Sequence, residues 1–178
     1  MRVYSVVGNR NTGKTTLMCR MIEAIAERGN SVAAVKSSKH PPDTIDKDAE
    51  RLMETRAAFA GYAHPRGSII FLKNGLEADD LPKKVDMRVD WLLIEGMKSA
   101  SYPKVLVARR EEDLSVEVQA ETVEAVVGPE SLREQSQRIY PNAKFIEEGN
   151  VNSLLSHLGK TAEYQPASPI RYQSQSSI

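Results

Sequence analysis

Gly8-Asn9-Arg10-Asn11-Thr12-Gly13-Lys14-Thr15 fits the spacing G-x-x-x-x-G-K-[ST]. The chemistry that pattern serves is the capture of phosphate. The two glycines allow a tight loop whose backbone N–H groups turn inward onto phosphate oxygens. A helix that starts at the loop adds the partial positive charge of its N-terminus. Lys14 then lies along the β- and γ-phosphate oxygens of a nucleoside triphosphate, and the Thr15 hydroxyl is placed to coordinate Mg²⁺. An ordinary glycine-containing turn between strand and helix explains the glycines but not Lys14-Thr15 at this spacing. The nucleotide-binding candidates are therefore Gly8, Asn9, Arg10, Asn11, Thr12, Gly13, Lys14, Thr15 and Thr16.

Acidic partners for the metal come from other segments. Asp90 and Glu95 flank the apolar run Trp91-Leu92-Leu93-Ile94. Ligands gather at the carboxyl ends of parallel strands, which favours Glu95 as the Mg²⁺ partner, directly or through water, and leaves Asp90 structural. The alternative for Glu95 is a strand-end cap. Gly96 beside it lets the backbone pass close to the phosphates. Asp46 reads as a helix N-cap. Asp48 either completes the metal shell or orients a water, which makes it a catalytic candidate with Lys14, or is a plain surface carboxylate. Lys36, Lys39, His40 and Lys98 lie toward the same edge, and Lys36 joins the phosphate-binding set, with solvated charge as the alternative.

The elements that position these groups follow from hydropathy. Val3-Tyr4-Ser5-Val6-Val7 reads as a buried parallel strand ahead of the loop. Behind it Leu17, Met21 and Ile25 form one helical stripe, closed by Gly29. Further strands are expected at residues 31–35, 68–72, 91–94, 104–108, 124–127 and 144–146. Helices are expected after Asp46 and at residues 76–85, 129–138 and 152–158. Alternating strands and helices imply an α/β fold of the P-loop NTPase type, a mainly parallel sheet with helices on both faces. One nucleotide-binding domain is expected over residues 1–158. Residues 159–178, rich in Ser, Gln and Pro, are expected to form a flexible tail or an arm that packs on a partner.

Composition narrows the partners. Lys plus Arg and Asp plus Glu balance at 24 each, so no global field recruits nucleic acid or a membrane surface. No apolar run approaches the roughly 20 residues that span a bilayer. One cysteine, Cys19, rules out an intrachain disulfide and fits a cytoplasmic location.

Four ordered motifs resemble the molybdopterin-guanine dinucleotide biosynthesis protein B family. That family's loop ends G-T-G-K-T-T-L, matched by Asn11-Thr12-Gly13-Lys14-Thr15-Thr16-Leu17 with Asn11 in place of a glycine. Where the family shows K-H-T-H-H this chain keeps a basic segment, Lys36-Ser37-Ser38-Lys39-His40, that departs from its histidine pair. A K-D-[SA] context is met by Lys47-Asp48-Ala49, with Arg56-Ala57-Ala58 a loose match to R-x-x-G-A. The motif L-[IV]-E-G-[FM]-K is met by Leu93-Ile94-Glu95-Gly96-Met97-Lys98, followed by Lys104-Val105-Leu106-Val107-Ala108-Arg109. The similarity spans about the first 110 residues. It implies a homodimeric GTP-binding accessory protein with weak GTP hydrolysis at most. Such a protein works with the molybdenum cofactor guanylyltransferase that joins GMP to molybdopterin, so the molybdopterin cofactor is itself a possible ligand.

Guanine is not separable from adenine by pattern, because the N-K-x-D signature is absent. Gly128-Pro129-Glu130 lies where related folds contact the base. A small-molecule kinase or ATP-dependent ligase of the dethiobiotin-synthetase type shares such a loop and sheet and expects an arginine-rich lid, but no long lid segment follows Arg109-Arg110. A metallochaperone GTPase expects Cys and His clusters, against one cysteine and three scattered histidines here.

Overall fold

The computed structural model describes residues 1–37, 59–64, 67–72 and 89–160, together with Leu52, Thr55 and Pro82. In chain order the strands and helices are β1 (Arg2–Val7), α1 (Lys14–Glu27), β2 (Val32–Lys36), β3 (Phe59–His64), β4 (Gly67–Leu72), β5 (Trp91–Glu95), β6 (Lys104–Val107), β7 (Val123–Gly128), α2 (Arg133–Ile139), β8 (Lys144–Glu147) and α3 (Val151–Leu158). The chain divides at Ser38 and Pro82 into two compact units.

In the larger unit the sheet runs β2-β5-β1-β6-β7-β8, and every neighbouring pair is parallel. The strand order reverses at β1, which puts the loop after it at the crevice where such sheets bind ligands. Alternation along the strands fills both faces. Tyr4, Val6, Leu93, Val105, Val107, Ala125 and Val127 pack against Leu17, Met21 and Ile25 of α1 and against Leu154, Leu155 and Leu158 of α3. Val7, Leu106, Ala108, Val126 and Phe145 pack on the opposite face with Leu114, Leu132 and Tyr140. Helices cover both faces, as the alternation of elements in the sequence implies.

Buried polar groups tie the ends of this layer together. The Tyr4 hydroxyl donates to the Leu158 carbonyl at 2.8 Å, joining β1 to the end of α3. The Tyr140 hydroxyl donates to the Leu114 carbonyl at 2.7 Å, and burial raises its pKa. Lys104 is fully buried at the start of β6, where its Nζ donates to the carbonyls of Ala100 and Tyr102. Burial lowers the pKa of that ammonium, and Glu121 opposes the shift.

The smaller unit holds a hairpin. β3 and β4 pair antiparallel, from Phe59 opposite Leu72 to His64 opposite Gly67. Residues 68–72 are thus a strand, as expected, but they belong to this hairpin and not to the parallel sheet. The partner strand β3 is one the sequence pattern leaves unassigned. The physical reason is connection length: a parallel crossover needs about a dozen residues or more, and only two separate β3 from β4. Asp48, Lys39 and His40 lie outside the described residues. So do residues 161–178 and, apart from Leu52 and Pro82, the helices expected after Asp46 and at 76–85.

Candidate nucleotide-binding site

The loop owes its shape to close backbone approach. Gly8 has φ +150°, and a Cβ there would stand 2.4 Å from the Val107 carbonyl oxygen and 2.9 Å from Thr12 Oγ1. Gly13 has φ +94°, and Asn11, where the resembling family has glycine, takes the left-handed conformation at φ 64°. Asparagine is one of the few side chains that visits this region readily, so the substitution leaves the turn intact. Inside the loop the Asn9 carbonyl accepts from Thr12 Oγ1 at 3.0 Å and from Lys14 Nζ at 2.6 Å.

An open cleft of about 590 Å³ lies over the loop, lined by Arg10, Asn11, Gly13, Lys14, Thr15, Thr16, Lys36, Glu95 and Arg109. Lys36 ends β2 directly opposite Glu95 of β5, so sheet register alone puts both beside the loop. The Thr15 hydroxyl donates to Glu95 Oε2 at 2.7 Å. Two hard oxygen donors from different elements meet there, which fits Mg²⁺ with water and phosphate oxygens completing the shell. Among the described residues no group of three His, Cys, Asp or Glu is arranged to hold a metal by itself. Burial lowers the Lys14 pKa; Lys98 and Lys36 push it the same way, while Glu95 and Asp113 oppose them. Crowded ammonium groups of this kind gain when an anion arrives.

Most of the residues singled out from the sequence thus share one cleft. Gly8, Asn9 and Thr12 shape the loop from behind. At Gly96, with φ +100°, a Cβ would stand 3.1 Å from the Ser37 carbonyl, so glycine lets the ends of β5 and β2 pass each other. Asp90 sits at the amino end of β5, where its Oδ2 accepts from Ser31 N and Oγ, both at 2.8 Å. Those two bonds hold its carboxyl below the usual range.

Two residues escape sequence reasoning. Asp113 is 3% exposed and sits in a 3-10 turn, Glu111–Ser115. Its Oδ1 accepts from Asn9 Nδ2 at 2.9 Å, and its Oδ2 from the backbone N–H of Arg109 at 3.0 Å and of Arg110 at 3.1 Å. Burial alone would raise its pKa, but those three bonds and the Arg110 charge lower it. Glu148, just after β8, accepts from Arg109 Nη2 at 3.1 Å, while Arg109 Nε donates to the Thr12 carbonyl at 3.2 Å.

A central parallel strand, this loop and a helix starting at Lys14 define a protein of the P-loop NTPase fold. The family model for molybdopterin guanine dinucleotide synthesis protein B matches residues 3–129, and the chain belongs to that family. A Bacillus subtilis relative, a probable molybdopterin-guanine dinucleotide biosynthesis adapter protein, is 32% identical over 133 residues, 70% of this chain and 75% of its own length. A Haemophilus influenzae molybdopterin-guanine dinucleotide biosynthesis adapter protein is 29% identical over 114 residues, 61% of this chain and 64% of its own. The crystal structure of Bacillus subtilis MobB superposes with a TM-score of 0.70 at 23% identity, covering 88% of this chain and 98% of that one, a likeness of fold. No helix among the described residues is long and apolar enough to cross a membrane.

Proposed function

We propose that this chain binds GTP with Mg²⁺ at the phosphate loop and serves as the adapter in molybdopterin guanine dinucleotide synthesis. In that role it is a cytoplasmic homodimer that engages the guanylyltransferase joining GMP to molybdopterin. The observation that carries the reading is the meeting of Thr15 with Glu95 at 2.7 Å, beside Lys14 and opposite Lys36. A bound Mg²⁺ would draw charge from the β- and γ-phosphate oxygens. Thr15 and Glu95 would supply its protein oxygens. Lys14 leaves the Asn9 carbonyl to lie along the phosphates, and the inward N–H groups of the loop take the remaining oxygens. Family membership supports the pathway, and the names of the two relatives support the adapter role. A free thiol at Cys19, exposed on α1, fits a reducing compartment. Hydrolysis by the isolated chain is slow in this reading, below the 1–100 s⁻¹ typical of kinases.

Titration calorimetry with GTP, with and without Mg²⁺, tests the core of it. Lys14→Ala is expected to weaken binding at least about tenfold, the size of a lost charge-assisted contact. Glu95→Gln is expected to weaken Mg²⁺-dependent binding and spare metal-free binding. Equal affinity in wild type and Lys14→Ala overturns the phosphate-loop assignment. Light scattering decides the dimer, and pull-down with the guanylyltransferase, with and without GTP, decides the partner.

A further inference from the structure

Beside the phosphate cleft, at the carboxyl ends of β6 and β7, lies a second and smaller pocket of about 80 Å³. It shares Gly13, Thr16 and Arg109 with the cleft, so a nucleotide whose phosphates occupy the loop has this pocket as its adjoining compartment. From the geometry we infer that it is the base compartment and that Glu148 is the residue that selects guanine. The inference rests on the nucleotide-binding reading above and adds to it a specificity-determining side chain.

Glu148 is the one acidic side chain among the described residues lining the pocket. Its backbone is fixed there: Glu148 N–H donates to the Gly128 carbonyl at 2.8 Å, and Gly149 turns the chain at φ +95°. Gly128 keeps the end of β7 flush with β6, since a Cβ there would stand 2.7 Å from the Ala108 carbonyl oxygen. The neighbouring carboxylates are committed elsewhere. Glu130 is held by two bonds from Arg133, at 2.5 and 2.7 Å, within its own turn. Asp113 is buried and already takes three donors. Glu148 spends only one oxygen, on the Arg109 guanidinium at 3.1 Å, and half of its side chain is exposed.

The Watson–Crick edge of guanine presents two adjacent donors, N1–H and the N2 amine. An ionised carboxylate is an acceptor only and takes two parallel N–H donors at once, as it does from a guanidinium. Guanine entering the pocket takes both Glu148 oxygens and displaces Arg109 from the one it holds. Adenine places the N1 lone pair against a carboxylate oxygen, which repels it. Inosine keeps N1–H and loses the N2 amine. Xanthine replaces that amine with a carbonyl, which suits an amide in place of the acid.

The experiment is titration of the full chain with GTP, ITP, XTP and ATP in Mg²⁺, repeated on Glu148→Gln. The wild-type chain is expected to bind GTP about tenfold or more tighter than ITP and ATP. In Glu148→Gln the affinity for GTP is expected to fall at least about tenfold while that for XTP rises above it, which a role confined to packing would not produce. Equal binding of GTP and ITP by the wild-type chain overturns the inference without any variant. So does an unchanged ratio of GTP to XTP in Glu148→Gln. Failure of the wild-type chain to bind any of the four overturns the underlying nucleotide reading instead.

Discussion

On the β5 side of the phosphate loop, an exposed threonine hydroxyl meets a half-buried carboxylate, Thr15 with Glu95. On the β6 side, the buried Asp113 gathers Asn9 of the loop and the backbone of Arg109 and Arg110 into one knot. The first contact is within reach of solvent, and a cation of high charge density can take over both oxygens. The second is sealed, its acceptor already filled, and opening it would leave three donors without partners. One flank of the loop is therefore built to exchange partners when ligand arrives, and the other to keep the loop's shape while that happens.

Gly8→Ala strikes the loop that both flanks hold, because the added Cβ meets the Val107 backbone and the Thr12 hydroxyl together. A loss of roughly 4 kcal/mol in urea unfolding is expected, with nucleotide binding gone. Asp113→Ala breaks only the fixed flank. It is expected to cost about 2–3 kcal/mol and to weaken binding equally with and without metal. Acid titration sharpens the point. The folded pKa of Asp113 lies below its unfolded value, so between the two the unfolded chain binds more protons and stability rises with pH. Its contribution is complete above about pH 4 and drains away as pH falls through the folded value. Asp113→Asn should erase that part of the acid dependence in unfolding curves taken across the same range.

Thr15→Val breaks only the exchangeable flank. Stability should move by no more than about 0.5 kcal/mol, while the Mg²⁺-dependent part of GTP affinity drops about tenfold. Equal losses in the Thr15 and Asp113 variants, with and without metal, would erase the distinction between the flanks. Ser5→Ala is the smallest expected change. Its buried hydroxyl, in the central strand, has no hydrogen-bond partner among the described residues. Removing it should stabilise the fold by up to about 1 kcal/mol in urea unfolding and leave binding unchanged.

The exchangeable flank is readable in the sequence because backbone geometry demands particular residue types there. Gly8 and Gly13, with a lysine and a hydroxyl at fixed spacing after them, suit little besides a phosphate loop, and Glu95 is marked by the buried run it follows. The fixed flank offers no such mark. Asp113 closes the acidic run Glu111-Glu112-Asp113, which looks like solvated surface until the 3-10 turn rotates its third member inward. Glu148 and Arg109 come from separate strand ends, and only the sheet order brings them together. The hairpin fails for a different reason. Phe59-Ala60-Gly61-Tyr62-Ala63-His64 has no clean alternation of apolar and polar side chains, so its pairing depends on the neighbouring strand and not on its own pattern.

Lys104 bears on how the segment carrying Gly96 and Lys98 moves in time. Its ammonium caps two carbonyls, those of Ala100 and Tyr102, while Ala100 N–H bonds back to Met97. Fraying from one end would strand a buried cation, so residues 97–103 should open as a unit together with the start of β6. Amide protons in that stretch are then expected to exchange with deuterium at one common, slow rate, a small cooperative block beside the phosphate-loop cleft.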